Sequence, residues 1–597
     1  MMNKQSTGSF LPTSKKEMDA LGWSQADVIL FTGDAYIDHP SFGAAVVGRV
    51  LENAGYKVAI VPQPNWRDDL RDFRKLGEPR LFFAATSGNM DSMVNHYTAN
   101  KRLRSDDAFT AGGQSGFRPD YAVKVYSQII KKLFPDIPLV IGGVEASLRR
   151  LTYYDYWADK LLPSILFESK ADMLIYGMGE RPIVELARRV ENGEKISSIT
   201  NLPQTAFISN ETYSANSETI ILHSYNDCLK NPSKLGENFK IIEEESNKMA
   251  PCKLIEPIDG SSIVVNSPYP IATSKEMDAW WNLPYVRAPH HRYKGKKIPA
   301  WEMIKFSVNI HRGCFGGCSF CTISAHQGKF VSSRSEESIL KEVDRITQDP
   351  EFKGYLSDLG GPSANMYRMQ GKNLSICARC KKPSCIYPSI CNNLDTNHEP
   401  LLKLYQKVRS NPKVKKAFIG SGIRYDLFAD WSNAVNRQYF DDVVQYHVSG
   451  RLKVAPEHTE DNVLKYMRKP PFKLFEELKV KFDNINRKNS LNQQLIPYFI
   501  SSHPGCTLEH MNSLAKRMEK MRIHPEQVQD FTPTPMTLAS TIFYTGVDPY
   551  SGKPVFVERS KEGKLKQREN FFWYKKPPAK RFESGKKGNL PYKKRKA

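Results

Sequence analysis

The chain has 597 residues, 40% of them hydrophobic, and a net charge of +22. That size and apolar content predict a globular protein of two to four domains. No apolar run nears the ~18 residues that cross a bilayer, and the polar start Met1-Met2-Asn3-Lys4-Gln5-Ser6-Thr7 lacks a signal-peptide core, so the expectation is a cytoplasmic protein without membrane contact.

Between residues 27 and 191 short apolar runs at 28–31, 58–61, 81–85, 139–141 and 173–176 alternate with helical patterns at 42–54 and 121–133. Pro40 lies near the first helix start and Gly55 just past its end. Alternation of this kind predicts a doubly wound parallel sheet. Ligands of such sheets bind beyond the carboxyl ends of the strands, which here carry Thr32-Gly33-Asp34, Thr86-Ser87-Gly88, Gly142-Gly143 and Gly177-Met178-Gly179-Glu180. Residues 146 to 160 crowd arginines and aromatics, which suits either a stacked or anionic ligand or the packing of one domain on another.

From about 201 to 299 periodicity weakens, and a connecting region with some strand content, such as 263–265, is expected. One internal echo falls here. Thr13-Ser14-Lys15-Lys16-Glu17-Met18-Asp19-Ala20 recurs as Thr273-Ser274-Lys275-Glu276-Met277-Asp278-Ala279, with Trp23 and Trp280 following, and predicts two short helices capped by serine.

Ten cysteines, seven of them between Cys314 and Cys391, are too clustered for a disulfide scaffold and suit metal binding in a reducing compartment. Cys314, Cys318 and Cys321, spaced C-x3-C-x2-C, lie on a loop in which Gly313, Gly316 and Gly317 let the backbone wrap closely. Thiolates at this density select zinc or iron–sulfur clusters, and three around a four-iron cluster leave one iron open. The plainer alternative is a structural zinc knuckle, for which His311 is the local spare ligand.

After this loop, strands near 305, 353, 416, 452, 494 and 528 alternate with helices at 336–348, 399–409, 437–447, 461–488 and 508–522. Six βα units imply an open barrel whose site gathers at the carboxyl ends of the strands. Those ends carry Asp358-Leu359-Gly360-Gly361-Pro362, Ser421-Gly422-Ile423-Arg424-Tyr425-Asp426, Val454-Ala455-Pro456-Glu457-His458 and His503-Pro504-Gly505-Cys506. They offer hydroxyl, guanidinium, carboxylate and imidazole groups suited to ribose and carboxylate recognition, with Cys506 a hydrogen donor or, more simply, a buried thiol. Cys377, Cys380, Cys385 and Cys391 form a complete four-thiolate set in an insertion after the second strand. The spacing leaves open whether they take zinc or an additional iron–sulfur cluster.

Residues 561 to 597 carry fourteen Lys/Arg against three Glu, half of the net charge. Phe571-Phe572-Trp573-Tyr574-Lys575-Lys576-Pro577-Pro578 and Lys593-Lys594-Arg595-Lys596 suit contact with RNA or the ribosome, against a plain reading as a disordered tail.

The cysteine spacing, with Phe320 before the last cysteine, resembles the radical S-adenosylmethionine superfamily. Gly142-Gly143-Val144-Glu145-Ala146-Ser147-Leu148-Arg149-Arg150, Tyr154-Asp155-Tyr156-Trp157 and Tyr176-Gly177-Met178-Gly179-Glu180-Arg181 resemble its YgiQ family over most of the chain. The resemblance implies a [4Fe-4S] cluster on Cys314, Cys318 and Cys321, with S-adenosylmethionine chelated at the open iron and cleaved reductively to a 5'-deoxyadenosyl radical that acts on a substrate the sequence does not name. It also implies an electron donor such as flavodoxin or ferredoxin, backbone contacts to the methionine amino group at Gly360 and Gly361, and contacts to S-adenosylmethionine from Ser421 and Arg424. Pro362 replaces the usual glutamate of that motif.

The amino-terminal sheet is similar to the cobalamin-binding domain of such enzymes. That family's Asp-x-His-x-x-Gly ligand motif is displaced by one residue in Asp38-His39-Pro40-Ser41-Phe42-Gly43, so the sheet is either a corrinoid site or a scaffold. The expected architecture is thus α/β: a doubly wound, cobalamin-binding-like sheet over 1–200, a connection over 201–299, an open (β/α)6 radical S-adenosylmethionine partial TIM barrel over 300–550 with the cysteine-rich insertion 377–391, and a basic tail over 551–597. The competing class is a metal-stabilised nucleic-acid- or ribosome-binding protein without radical catalysis.

Overall fold

The computed structural model describes residues 9–575. The Met1–Thr7 start and the basic residues from Lys576 onward lie outside the described residues. No helix among the described residues is long and apolar enough to cross a membrane.

Val28–Thr32, Val58–Pro62, Phe82–Thr86, Leu139–Gly142 and Met173–Ile175 pair in parallel, as the apolar runs predict. Strand residues alternate between two faces, so each face builds its own core. Val28 and Leu30 pack with helices Gly43–Asn53 and Glu180–Glu191, while Ile29 and Phe31 share the other core with Ala122–Leu133. Burying both faces is what makes these strands continuously apolar.

The region 201–299 corrects the expectation of a connection. Thr205–Ser209 pairs antiparallel with Met173–Ile175, and Ser261–Val265, Lys253–Ile258 and Thr219–Ile221 follow outward, giving one sheet of nine strands. The overlooked signal is Asp259-Gly260, whose φ values of 40° and 82° give the two-residue turn that an antiparallel hairpin favours. Both echo segments form helices. Ser14 caps Lys15–Ala20, whereas Thr273, not Ser274, caps Ser274–Trp281 in a capping box with Glu276.

The carboxy-terminal half follows the expected strand positions. Ser307–Asn309 pairs in parallel with Asp358–Gly360, Tyr355–Leu356 with Lys416–Ala417, and Arg451–Glu457, Gln494–Ser501 and Gln527–Asp530 with one another. A single parallel bridge, Ile423 to Val454, joins the two groups. No pairing among the described residues joins the last strand to the first, so the array stays open. The helix expected over 461–488 is two, Asp461–Met467 and Phe472–Lys488, because Pro470 and Pro471 cannot donate to a continuing helix.

Residues 561–575, expected within a disordered tail, are folded. Helix Lys561–Glu569 places Lys564 Nζ 2.9 Å from Tyr156 Oη, and the following turn buries Phe571 completely beside Phe499. Burial brings Lys564 down to about 8. Apolar and aromatic residues among the charges supply the docking face that a count of lysines hides.

Candidate active site

The first barrel strand delivers the cysteine loop. Its register sets Asn309 against Gly360, and the Ile310 amide donates to the Gly360 carbonyl at 2.8 Å. His311–Arg312 then pairs antiparallel with Ser332–Ser333, which closes residues 313–331 into one excursion. Within it Cys314 donates its amide to Gly328, Gly313 donates to Gln327 Oε1 at 3.2 Å, and Ile323–Gln327 forms a short helix. Gly317 is required here: its φ is +62°, and a side chain would strike the Pro383 carbonyl.

The three thiols lie within electrostatic reach of one another. Burial, with Cys318 and Cys314 nearby, pushes the Cys321 thiol up to about 12, and burial also raises Cys314. Arg424 Nη1 donates to Cys318 Sγ at 3.2 Å, the Gly316 amide donates to Cys314 Sγ at 3.4 Å, and Ser363 Oγ lies 3.6 Å from Cys314 Sγ. Sulfurs gathered this way, approached by a guanidinium and an amide donor, fit ligation by a metal cluster, which displaces their protons and leaves thiolates for those donors to stabilise.

Gly361 lies against the His311 ring, so closely that an added Cβ would sit 2.5 Å from Cε1. Both His311 ring nitrogens are buried without a hydrogen-bond partner among the described residues, and burial, only partly offset by the nearby Ser363 backbone, lowers the imidazole to about 3. Gly360's carbonyl is engaged by Ile310, so the backbone offered to a ligand is that of Gly361 and Pro362, which line a cavity of 460 Å³. The opposite wall is the carboxyl end of the amino-terminal sheet, at Thr86, Gly143 and Gly177. The two halves are held there by the Arg312–Glu180 ion pair, by Asn309 Nδ2 donating to Ser41 Oγ at 3.2 Å, and by His326 Nδ1 3.2 Å from Ser147 Oγ. Glu180 Oε2 is also buried without a partner, so this wall, with His311 opposite, can satisfy a polar ligand.

Ser421 and Arg424 are already engaged. Ser421 Oγ and its amide donate to Asp358, and Arg424 is paired through two nitrogens with Asp426. Ser421 therefore braces the turn beside Gly360, and Arg424 reaches the Cys318 thiol of the loop. Glu457 is buried beside Lys469, with a 3.6 Å ion pair. His458, whose imidazole was among the strand-end groups suited to ribose and carboxylate recognition, is fully buried, with Nε2 3.6 Å from Cys506 Sγ. Burial pushes Cys506 up to about 12, which matches the plain reading of an inert thiol.

His39 accepts the Ser41 amide at Nδ1, 3.1 Å away, and faces Arg287 Nη1 at Nε2, 3.0 Å away, so both nitrogens are occupied. In the 146–160 stretch the aromatics serve domain packing, with Tyr154 stacked on Tyr544, while Arg149 pairs with Asp91. Arg150, with no carboxylate partner among the described residues, faces a second cavity of 200 Å³. Sequence reasoning placed Glu180 at a strand end but missed its pairing with Arg312, and it missed His326. Proximity to the loop was the only signal, since no spacing rule relates Glu180 to a residue so distant in the chain.

A family model described as "Radical SAM N-terminal" matches residues 10–307. A UPF0313 protein of Bacteroides thetaiotaomicron is 58% identical over 583 residues, covering 95% of this chain and 94% of its own. A UPF0313 protein of Porphyromonas gingivalis is 58% identical, with 96% and 91% covered, and one of Methanocella arvoryzae 47% identical, with 92% and 90% covered. Among solved structures, the radical S-adenosylmethionine methyltransferase TsrM of Kitasatospora setae, with cobalamin and [4Fe-4S] cluster bound, shows 13% identity over 86% of this chain and 77% of that chain, with a TM-score of 0.46. The cobalamin-dependent S-adenosylmethionine radical enzyme OxsB, with aqua-cobalamin bound, shows 10% identity, 89% and 57% coverage and a TM-score of 0.46. The chain belongs to the UPF0313 family, radical S-adenosylmethionine proteins of the YgiQ type, a group that binds a [4Fe-4S] cluster and S-adenosylmethionine.

Proposed function

We propose that this chain is a radical S-adenosylmethionine enzyme whose cluster is held by Cys314, Cys318 and Cys321 and whose substrate enters the 460 Å³ cavity between sheet and barrel. The observation that carries the reading is three thiols on one loop with the Arg424 guanidinium on Cys318 and with Cys314 beside Ser363, two residues past the Gly361 that lines that cavity. The chemistry the bound cluster and S-adenosylmethionine would supply is one-electron cleavage of a carbon–sulfur bond, giving a radical that takes hydrogen from substrate.

The chain's own part is binding, orientation and exclusion of water. Arg424 offsets the negative charge of the thiolates. Gly361 and Pro362 present backbone to the methionine end of the cofactor, with Gly360 fixed by Ile310 and Ser421 fixed by Asp358 behind them. His311 and Glu180, each with buried atoms unpartnered among the described residues, are two polar contacts the cavity offers a substrate. A ferredoxin- or flavodoxin-type donor and a cytoplasmic setting suit a chain whose ten cysteines are all free.

The test is anaerobic incubation of reconstituted protein with dithionite and S-adenosylmethionine, followed by chromatography for 5'-deoxyadenosine. Wild type should form it, and Cys318→Ala should form none while keeping its fold by circular dichroism. Cluster-loaded wild type that binds S-adenosylmethionine yet forms none would overturn the assignment.

A further inference from the structure

The insertion carrying the second cysteine group is clamped onto the first loop. The Cys385 amide donates to the Phe315 carbonyl at 3.0 Å, and Ser384 Oγ donates to the Gly316 carbonyl at 2.8 Å. Cys314, Cys385 and Cys391 flank one small apolar cluster around Phe315 and Met366. The insertion folds back on itself through Cys391, whose amide donates to the Cys385 carbonyl, and through a bridge between Gly371 and Leu394. Cys377 Sγ accepts Asn393 Nδ2 at 3.3 Å, an N–H···S bond of the kind that supports ligated thiolates.

A second feature points to negative charge at this place. Lys329 is 1% exposed, its Nζ donates to the Lys382 carbonyl at 2.5 Å, and among the described residues no carboxylate lies within 4.0 Å of it. Lys382 stands between Cys380 and Cys385, and the ammonium acts electrostatically on both Cys377 and Cys385. A buried ammonium without a counter-charge is costly, and four thiolates around a metal centre supply one.

The sulfur spacing favours the wider of the two candidate metal centres. A zinc ion with bonds of about 2.3 Å holds tetrahedral sulfurs only about 3.8 Å apart. Among the described residues no three cysteine Sγ atoms lie within 4.8 Å of one another. A four-iron cube, being wider than one ion, accepts thiolates set further apart.

We propose that Cys377, Cys380, Cys385 and Cys391 hold a second, four-thiolate iron–sulfur cluster, with Lys329 as its buried counter-ion. All four ligands come from the protein, so this centre is closed to substrate and serves as a one-electron store. A ferredoxin- or flavodoxin-type donor would take it from the oxidised to the reduced core with no bond made or broken. The site stands apart from the radical chemistry proposed above, since it needs none of the first three cysteines.

The decisive measurement is metal and sulfide content of full-length protein reconstituted anaerobically with iron and sulfide. About eight irons per chain are expected, and about four irons with one zinc, or about four that vanish in the Cys314→Ala/Cys318→Ala/Cys321→Ala variant, would overturn the proposal. In the Cys314→Ala/Cys318→Ala/Cys321→Ala variant about four irons should remain, with an electron paramagnetic resonance signal after dithionite. In that background Lys329→Met should lower the cluster's reduction potential, because a positive charge beside the reduced core is lost. An unmoved potential would overturn the part given to Lys329.

Discussion

Arg424 and Cys318 are joined by a 3.2 Å hydrogen bond from Nη1 to Sγ, while the other guanidinium nitrogens of Arg424 grip Asp426. A carboxylate on the barrel thereby aims a fixed positive charge at a cysteine 106 residues away in sequence. Burial works to raise the Asp426 carboxyl, but the guanidinium outweighs it and holds the group below its ordinary range.

Arg424→Met leaves that carboxylate buried and unpaired, which costs about 3–5 kcal/mol. The matching change Asp426→Leu in the same chain should recover most of the loss, because both charges then leave together. Urea unfolding of the wild type, the single and the double variant checks this. A double variant no better than Arg424→Met would show that the pair is not the source.

Gly361→Ala should destabilise the fold by about 1–3 kcal/mol, since the new methyl meets the buried His311 ring. The same change in a His311→Ala background should cost much less, because the two positions are in contact and their effects are not additive. A double-mutant cycle by denaturant unfolding measures the coupling, and equal costs in both backgrounds would contradict the contact.

Glu256 gives a pH dependence with a definite sign. Burial raises its carboxyl from 4.5 to about 7 against the hydrogen bond from the Thr152 amide. The folded state thus holds a proton that the unfolded state has released between those values, so stability falls as pH rises from 4.5 to about 7 and is level above it. A difference of that size is worth roughly 3 kcal/mol. Glu256→Gln keeps an acceptor for Thr152 and cannot ionise. It should melt several degrees above wild type at about pH 8 and close to it at about pH 4.5, as scanning fluorimetry can record.

His39→Ala should leave corrinoid binding unchanged, because both imidazole nitrogens are engaged by Ser41 and Arg287. Equilibrium dialysis of aquacobalamin against the wild type and the variant compares them directly. Retention by wild type and loss by the variant would make His39 a ligand after all.

The sequence alone determined what is local. Cys314, Cys318 and Cys321 announce a thiol-rich loop by their density and the glycines among them, and continuous apolar runs such as 28–31 announce buried strands because parallel sheets cover both faces. The six barrel strand positions follow from the same periodicity. Tertiary structure alone decided what depends on partners far along the chain. Thr205–Ser209 through Ser261–Val265 became sheet rather than linker only by pairing with Met173–Ile175. Lys561–Glu569 became a docked helix only because Tyr156 and Phe499 were there to receive it and the turn after it. Arg424, Lys329 and His39 each carry a charge or lone pair whose role is fixed by its neighbours. Periodicity along a chain reports which faces are apolar, while long-range pairing and burial decide which polar groups are left facing a ligand.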